Sequence, residues 1–113
     1  MEKKIIKEFI LKELAKFKLK GGSKGYKYLL ETIYMCILNN DNLDNLSQSV
    51  FPVIAQKYKE KSANHVKWCI DKIIQTMYNN TDMKVIANYF GLDYNVKPSL
   101  KFVVYTIVCN YNK

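Results

Sequence analysis

The sequence predicts an all-α fold, a compact domain of five to six helices containing a helix-turn-helix, and three observations predict it. Apolar residues recur at three- and four-residue steps along most of the chain, the period of a helix with one buried face. Capping residues and glycine or asparagine breaks bound these stretches at helical lengths. A chain of 113 residues suits a single domain with one hydrophobic core.

The elements can be taken in order. Ile5, Ile6, Phe9, Ile10, Leu14 and Phe17 make the stripe of an amphipathic helix over residues 2–19. Residues 1–19 therefore read as an N-terminal helix packed on the rest of a single domain, 1–113. Gly21-Gly22 ends that helix and Ser23 caps the next. The second helix has Tyr26, Leu29, Leu30, Ile33, Ile37 and Leu38 as its expected inner stripe and closes at Asn39-Asn40-Asp41. A short helical turn is expected around Leu43–Val50. Pro52 suits the first turn of a helix running through Tyr58. Ser62 caps a longer helix reaching Tyr78, broken by Asn79-Asn80-Thr81. Asp82 caps a short helix to Tyr89-Phe90, stopped by Gly91. Pro98-Ser99 opens the last segment, Leu100–Val108. Its Phe102, Val103, Val104, Ile107 and Val108 suit a strand, whereas Pro98 favours a helix start. The apolarity of this segment also marks it as a dimer contact.

Composition excludes several classes. No apolar run approaches the roughly 20 residues that span a bilayer, and the lysine-rich N-terminus lacks the apolar stretch of a secretory signal. A cytoplasmic protein with no membrane role is expected. The apolar face of the N-terminal helix is more simply core than a membrane anchor. Cys36, Cys69 and Cys109 are odd in number, far apart and without a CxxC pair, which fits a reducing compartment. His65 and Cys69 stand one turn apart, but no second such pair accompanies them, so no metal is expected and Cys69 reads as core. One histidine, no paired-carboxylate motif and no phosphate-cradling glycine loop leave nothing to build a catalytic site from. Neither an enzyme nor a cofactor is expected.

The net charge of +8 is uneven. Residues 1–28 hold nine lysines against three acids, 29–56 hold none against three, and 57–78 return to five against two. Basic segments flanking a neutral one suggest a basic surface stripe suited to phosphate. All eighteen basic residues are lysine, and Asn, Ile and Tyr are abundant, a usage that fits an AT-rich genome and accounts for part of the excess.

The informative stretch runs from Ile54 to Ile74. A short helix carries a small residue, Ala55, where another helix must cross closely; a tight turn, Lys59-Glu60-Lys61, follows; then the Ser62-capped helix begins. That is how a helix-turn-helix is built, the first helix bracing and the second offered to the major groove. At 100° per residue, Ile70, Ile73 and Met77 fall within about 40° of Val66, and the four form the inner stripe. Asn64, Trp68, Asp71 and Gln75 cluster near the opposite pole, with His65 and Lys72 beside them. The only tryptophan of the chain thus points away from its own helix's apolar face. Either it packs on a neighbouring helix, or Asn64, His65, Lys67 and Trp68 form a base-reading surface. Asn pairs with adenine, Lys and His reach guanine acceptors, and an aromatic edge meets a thymine methyl. Lys24, Lys59, Lys61, Ser62 and Lys72 are the candidate phosphate contacts, because lysines and helix N-termini both attract the anion.

Five landmarks resemble a known family, the DNA-binding effector domain of the stage zero sporulation response regulator, sporulation protein A. They are Lys24-Gly25-Tyr26-x-Tyr28-Leu29, Phe51-Pro52-x-Ile54-Ala55-x-Lys57-Tyr58, Ser62-Ala63-x-x-Val66, Tyr89-Phe90-Gly91 and Lys97-Pro98. Their order and approximate spacing match over about residues 20–112. The resemblance implies a six-helix fold, a recognition helix at about Ser62–Tyr78, and double-stranded DNA as ligand, often bound as tandem copies on neighbouring sites. Two departures accompany it. The family's N-terminal receiver domain has no counterpart in this chain. Where the family shows Ser-Arg-x-Glu-Arg, this sequence has Asn64-His65-Val66-Lys67-Trp68, and Asp71 replaces a further arginine.

The expected function is a sequence-specific transcription regulator of sporulation type, nucleoid-associated, with altered base-reading residues. A homodimer on tandem sites is a corollary. The alternative is a protein-interaction module that pairs with a full-length sporulation regulator.

Overall fold

The computed structural model describes residues 2–19 and 21–113. Met1, the first residue of the expected N-terminal segment, and Lys20, where the family resemblance begins, lie outside the described residues. Six α-helices follow one another: α1 (Glu2–Ala15), α2 (Lys24–Leu38), α3 (Phe51–Lys57), α4 (Ala63–Asn80), α5 (Met83–Phe90) and α6 (Leu100–Tyr111). A 3₁₀ turn (Asn40–Asp44) and a π turn (Leu46–Val50) join α2 to α3, where the sequence predicts a single short helical turn.

Local chemistry sets most boundaries. α1 ends earlier than the apolar stripe suggests, since Lys18 adopts a left-handed φ of 57° and Phe17 reaches the core from beyond the helix. Ser23, Ser62 and Ser99 each accept a hydrogen bond from the backbone N–H three residues on, taking up one of the donors a helix start leaves unpaired. Gly91 closes α5 in the left-handed region, φ 67°, where glycine escapes the Cβ clash. The last segment is a helix, not a strand. Pro98 is buried and Ser99 caps the first turn, and these local signals outweigh the β-branched run.

Two inner stripes differ from the expected ones. In α2 the buried side chains are Tyr28, Leu29, Glu31, Thr32, Ile33 and Cys36, whereas Tyr26, Leu30 and Ile37 are only partly buried and Leu38 is exposed. α2 packs on α1, α4 and α6, so the face it buries is wider than one apolar row and takes in polar residues that find partners there. In α4 the buried set is Val66, Cys69, Ile70, Ile74 and Met77, with Ile73 half-buried at the border. Cys69 is core, as the sequence suggests. In α1, Ile5 is exposed.

The core also absorbs Leu100, Val103, Val104, Ile107 and Val108. The apolar residues of the last segment, read from the sequence as a dimer contact, are therefore spent inside the fold, and Tyr105 is the large residue of α6 left exposed.

Polar ties brace the helices. Glu31 accepts from Lys7 at 3.2 Å and from Lys57 at 3.3 Å. Burial alone would raise its pKa, but the hydrogen bonds and charges of Lys7 and Lys57 hold it below the ordinary value. Glu13 accepts from the Tyr89 hydroxyl at 2.7 Å and pairs with Lys16 at 2.9 Å. The Thr81 hydroxyl donates to the Phe17 carbonyl at 2.9 Å, fastening the end of the N-terminal segment to the α4–α5 junction. Among the described residues no helix is long and apolar enough to cross a membrane.

Candidate nucleic-acid interface

The α3–α4 junction sets the site. Glu60 N–H donates to the Ala55 carbonyl at 2.8 Å, and Lys59 N–H reaches Gln56 at 3.4 Å. Lys59 itself is left-handed, φ 56°. This closure ends α3 sharply, and after two more residues Ser62 starts α4. The expected helix-turn-helix is therefore present, with Ala55 buried.

The crossing of α2 over α4 explains a glycine that periodicity alone did not single out. A Cβ at Gly25 would collide with the Cys69 carbonyl oxygen and stand 3.1 Å from Ile73 Cβ. Only hydrogen fits there. This close approach brings the N-terminus of α2, with Lys24, against the outer flank of α4.

Glu60 joins the two. Its carboxylate accepts from the Tyr28 hydroxyl and pairs with Lys24 at 3.2 Å, and its other oxygen lies 3.6 Å from His65 Nε2. The Tyr28 hydrogen bond, assisted by Lys24, overcomes desolvation and lowers the Glu60 pKa. Burial, with the nearby carboxylate, raises that of Tyr28. His65 is half-buried, its Nε2 also 3.7 Å from Cys69 Sγ. Its ring nitrogen thus faces the turn, while its ring face stacks on Trp68, with centroids 5.6 Å apart and planes within 19°.

Trp68 is 54% exposed. Lys72 Nζ lies 4.5 Å from its ring centroid, a cation–π distance, so the indole is held between an imidazole and an ammonium. One edge of the indole lines a shallow hollow of about 260 Å³ with Ser23, Gly25, Cys69, Ile73 and Thr76. The side chain lies beside the α2 start and is still more than half exposed. Asn64 is exposed on the same side. Lys67 is exposed but held by Asp71 at 2.8 Å, one turn on.

The structure therefore brings Lys24, His65, Trp68 and Lys72 into one contiguous series linked through Glu60, with Lys59, Lys61 and Ser62 in the turn beside it. Lys67 lies further round the helix with Asp71. Ser62 Oγ is occupied as a cap. Glu60 is the organising residue that sequence reasoning missed, because its partners Tyr28 and Lys24 lie over thirty positions away and it reads locally as one acid among lysines. Among the described residues no group of three or more His, Cys, Asp or Glu is placed to hold a metal.

The surface is one that phosphate and base edges could meet: a capped helix start, lysines on both flanks and an aromatic plate between them. The family model described as Sporulation initiation factor Spo0A C terminal matches residues 10–108 of the chain, from within α1 to within α6.

Proposed function

The chain belongs to the Spo0A C-terminal family of DNA-binding effector domains of sporulation regulators, and from that premise we propose that it is a sequence-specific regulator acting on duplex DNA through α4, with a reading face changed from the family pattern. The observation that carries the proposal is Trp68, 54% exposed and clamped between His65 and Lys72 early in a capped helix. A large exposed aromatic fixed in place suits contact better than solvent.

Each residue has a role in this reading. Lys59, Lys61 and the first turn of α4 at Ser62 meet one phosphate run, and Lys24 and Lys72 meet another, which positions the helix without reading sequence. Asn64 pairs with adenine, Trp68 packs on a thymine methyl, and Lys67 reaches a guanine acceptor. Asp71 holds Lys67 in position or accepts from a cytosine amino group. His65 reaches a base only by leaving Glu60, so its geometry favours supporting Trp68. The chain has no arginine, so the arginine–guanine contact is absent from its reading face. Cytoplasmic location on the nucleoid and paired binding of copies on neighbouring sites follow from the same reading. Any contact between copies would use exposed residues, since the apolar side of α6 is buried.

Selection of bound duplexes from a random pool tests this directly. The intact chain should enrich a defined site. Lys67→Glu and Trp68→Ala should weaken binding and change the enriched sequence. Unaltered affinity and preference in both variants would remove α4's outer face from the account. Absence of DNA binding even at low salt, with co-elution of a full-length sporulation regulator, would favour the protein-interaction alternative.

A further inference from the structure

A cavity of about 490 Å³ opens between the 3₁₀ and π turns, the middle of α4 and the start of α6. Its size lies within the range of small-ligand sites, roughly 300–1,000 Å³. The interface reading does not use it. Its apolar wall is made by Leu43, Leu46, Phe51, Ile74, Pro98 and Leu100. Lysines ring the mouth, Lys67, Lys97 and Lys101, against two carboxylates, Asp44 and Asp71.

The lysines are held by weak or replaceable partners. Lys101 Nζ is 4.0 Å from Asp44, an aspartate that is itself largely exposed. Lys97 Nζ donates to the neutral Gln75 side chain at 2.6 Å. Lys67 is the one held closely by a carboxylate, at 2.8 Å from Asp71. The rim therefore has one positive charge in excess, and Lys97 has no carboxylate to give up. An apolar wall beneath a net-positive rim matches one ligand chemistry, a small body of hydrocarbon ending in a carboxylate. A bare anion would leave the wall unfilled, and a neutral hydrocarbon would leave the rim unused.

We propose that this cavity is a binding site for small amphipathic carboxylates, with the hydrocarbon against Leu46, Phe51 and Ile74 and the carboxylate at Lys97 and Lys101. Lys67 and Asp71 belong both to its rim and to the outer side of α4, so the occupant lies directly beside the helix that faces DNA. The site itself does not depend on the DNA reading, and its test needs no DNA.

The probes are octanoate and 4-phenylbutyrate, each against its primary amide, titrated into the ¹⁵N-labelled intact chain. Amide shifts should saturate at about millimolar carboxylate, as expected for ligands of ten or so heavy atoms. They should map to residues 43–51, 97–101 and Ile74, with the amides binding several-fold more weakly. The exposed-lysine variants Lys97→Gln and Lys101→Gln should each weaken carboxylate binding by roughly three- to fivefold, the effect of a partly exposed ion pair. Ser47→Trp, at an exposed position on the cavity wall, should fill the space and abolish the shifts while leaving the rest of the spectrum folded. Shifts scattered over the surface, equal binding of acids and amides, or unchanged binding in Ser47→Trp would each overturn the proposal.

Discussion

The two faces of α4 hold the same number of turns and opposite kinds of interaction. Inward, Val66, Cys69, Ile70, Ile74 and Met77 are buried against α2, α3 and α6. Outward, Asn64, Lys67, Trp68 and Lys72 are exposed, and the ties they make are short-range ones within the helix, Lys67 to Asp71 and Trp68 to His65 and Lys72. The inner face fixes where the helix stands. The outer face is arranged without adding much to stability, which is what a surface reserved for a partner looks like. Stability and recognition should therefore separate by face.

The largest effect should come from the inner face. Ile70→Ala removes a fully buried side chain and should cost about 3–4 kcal/mol in denaturant unfolding, transfer and cavity terms together. Gly25→Ala is next, because its methyl meets the Cys69 carbonyl and the α2–α4 crossing must open. About 2–3 kcal/mol is expected, the upper part of the usual range for overpacking. A change below about 0.5 kcal/mol in either would mean that α4 is not anchored as described.

On the outer face the sign of the comparison reverses. Trp68→Ala should leave stability within about 0.5 kcal/mol of the intact chain, as for most exposed sites. It should nevertheless weaken specific DNA binding by about 1–3 kcal/mol, the cost of losing a base contact. Lys72→Gln should lower affinity for all sequences alike and reduce the slope of log affinity against log salt by about one. Lys59→Gly sharpens the contrast further. It relieves a left-handed lysine and should stabilise by about 0.5 kcal/mol, yet remove a phosphate contact.

Acid should act through the carboxylates that tie the helices together. Glu13, Glu31 and Glu60 all have pKa values lowered by folding from 4.5. The unfolded chain therefore takes up protons first as pH falls, and the stability these groups supply is complete above about pH 4.5 and lost below it as the folded carboxylates titrate. Glu31→Gln should flatten that part of the pH–stability curve.

Much of this was legible in the sequence. The first five helices, the serine caps and the stop at Gly91 follow from local chemistry, and the outward direction of Trp68 follows from period alone. The wider buried faces of α2 and α4 were not legible, because which residue lies at the border depends on the number of neighbours a helix has. Ile73 and Ile74 exchange places for that reason. Gly25 and Glu60 were invisible locally, since each matters only through a residue far along the chain, Cys69 in one case and Tyr28 in the other. The last segment misled in one respect: its apolarity reported burial within the fold and not a surface for a second copy.

The central claim, that the outer face of α4 meets DNA, is tested most directly by the fluorescence of Trp68, the only tryptophan in the chain. The intact protein would be titrated with the selected duplex at salt from about 50 to 200 mM, a range over which phosphate contacts weaken steeply. The account predicts a saturable change in emission whose midpoint moves to higher DNA concentration as salt rises. Salt-sensitive retention of the duplex with unchanged Trp68 emission would contradict it and place the DNA on another face.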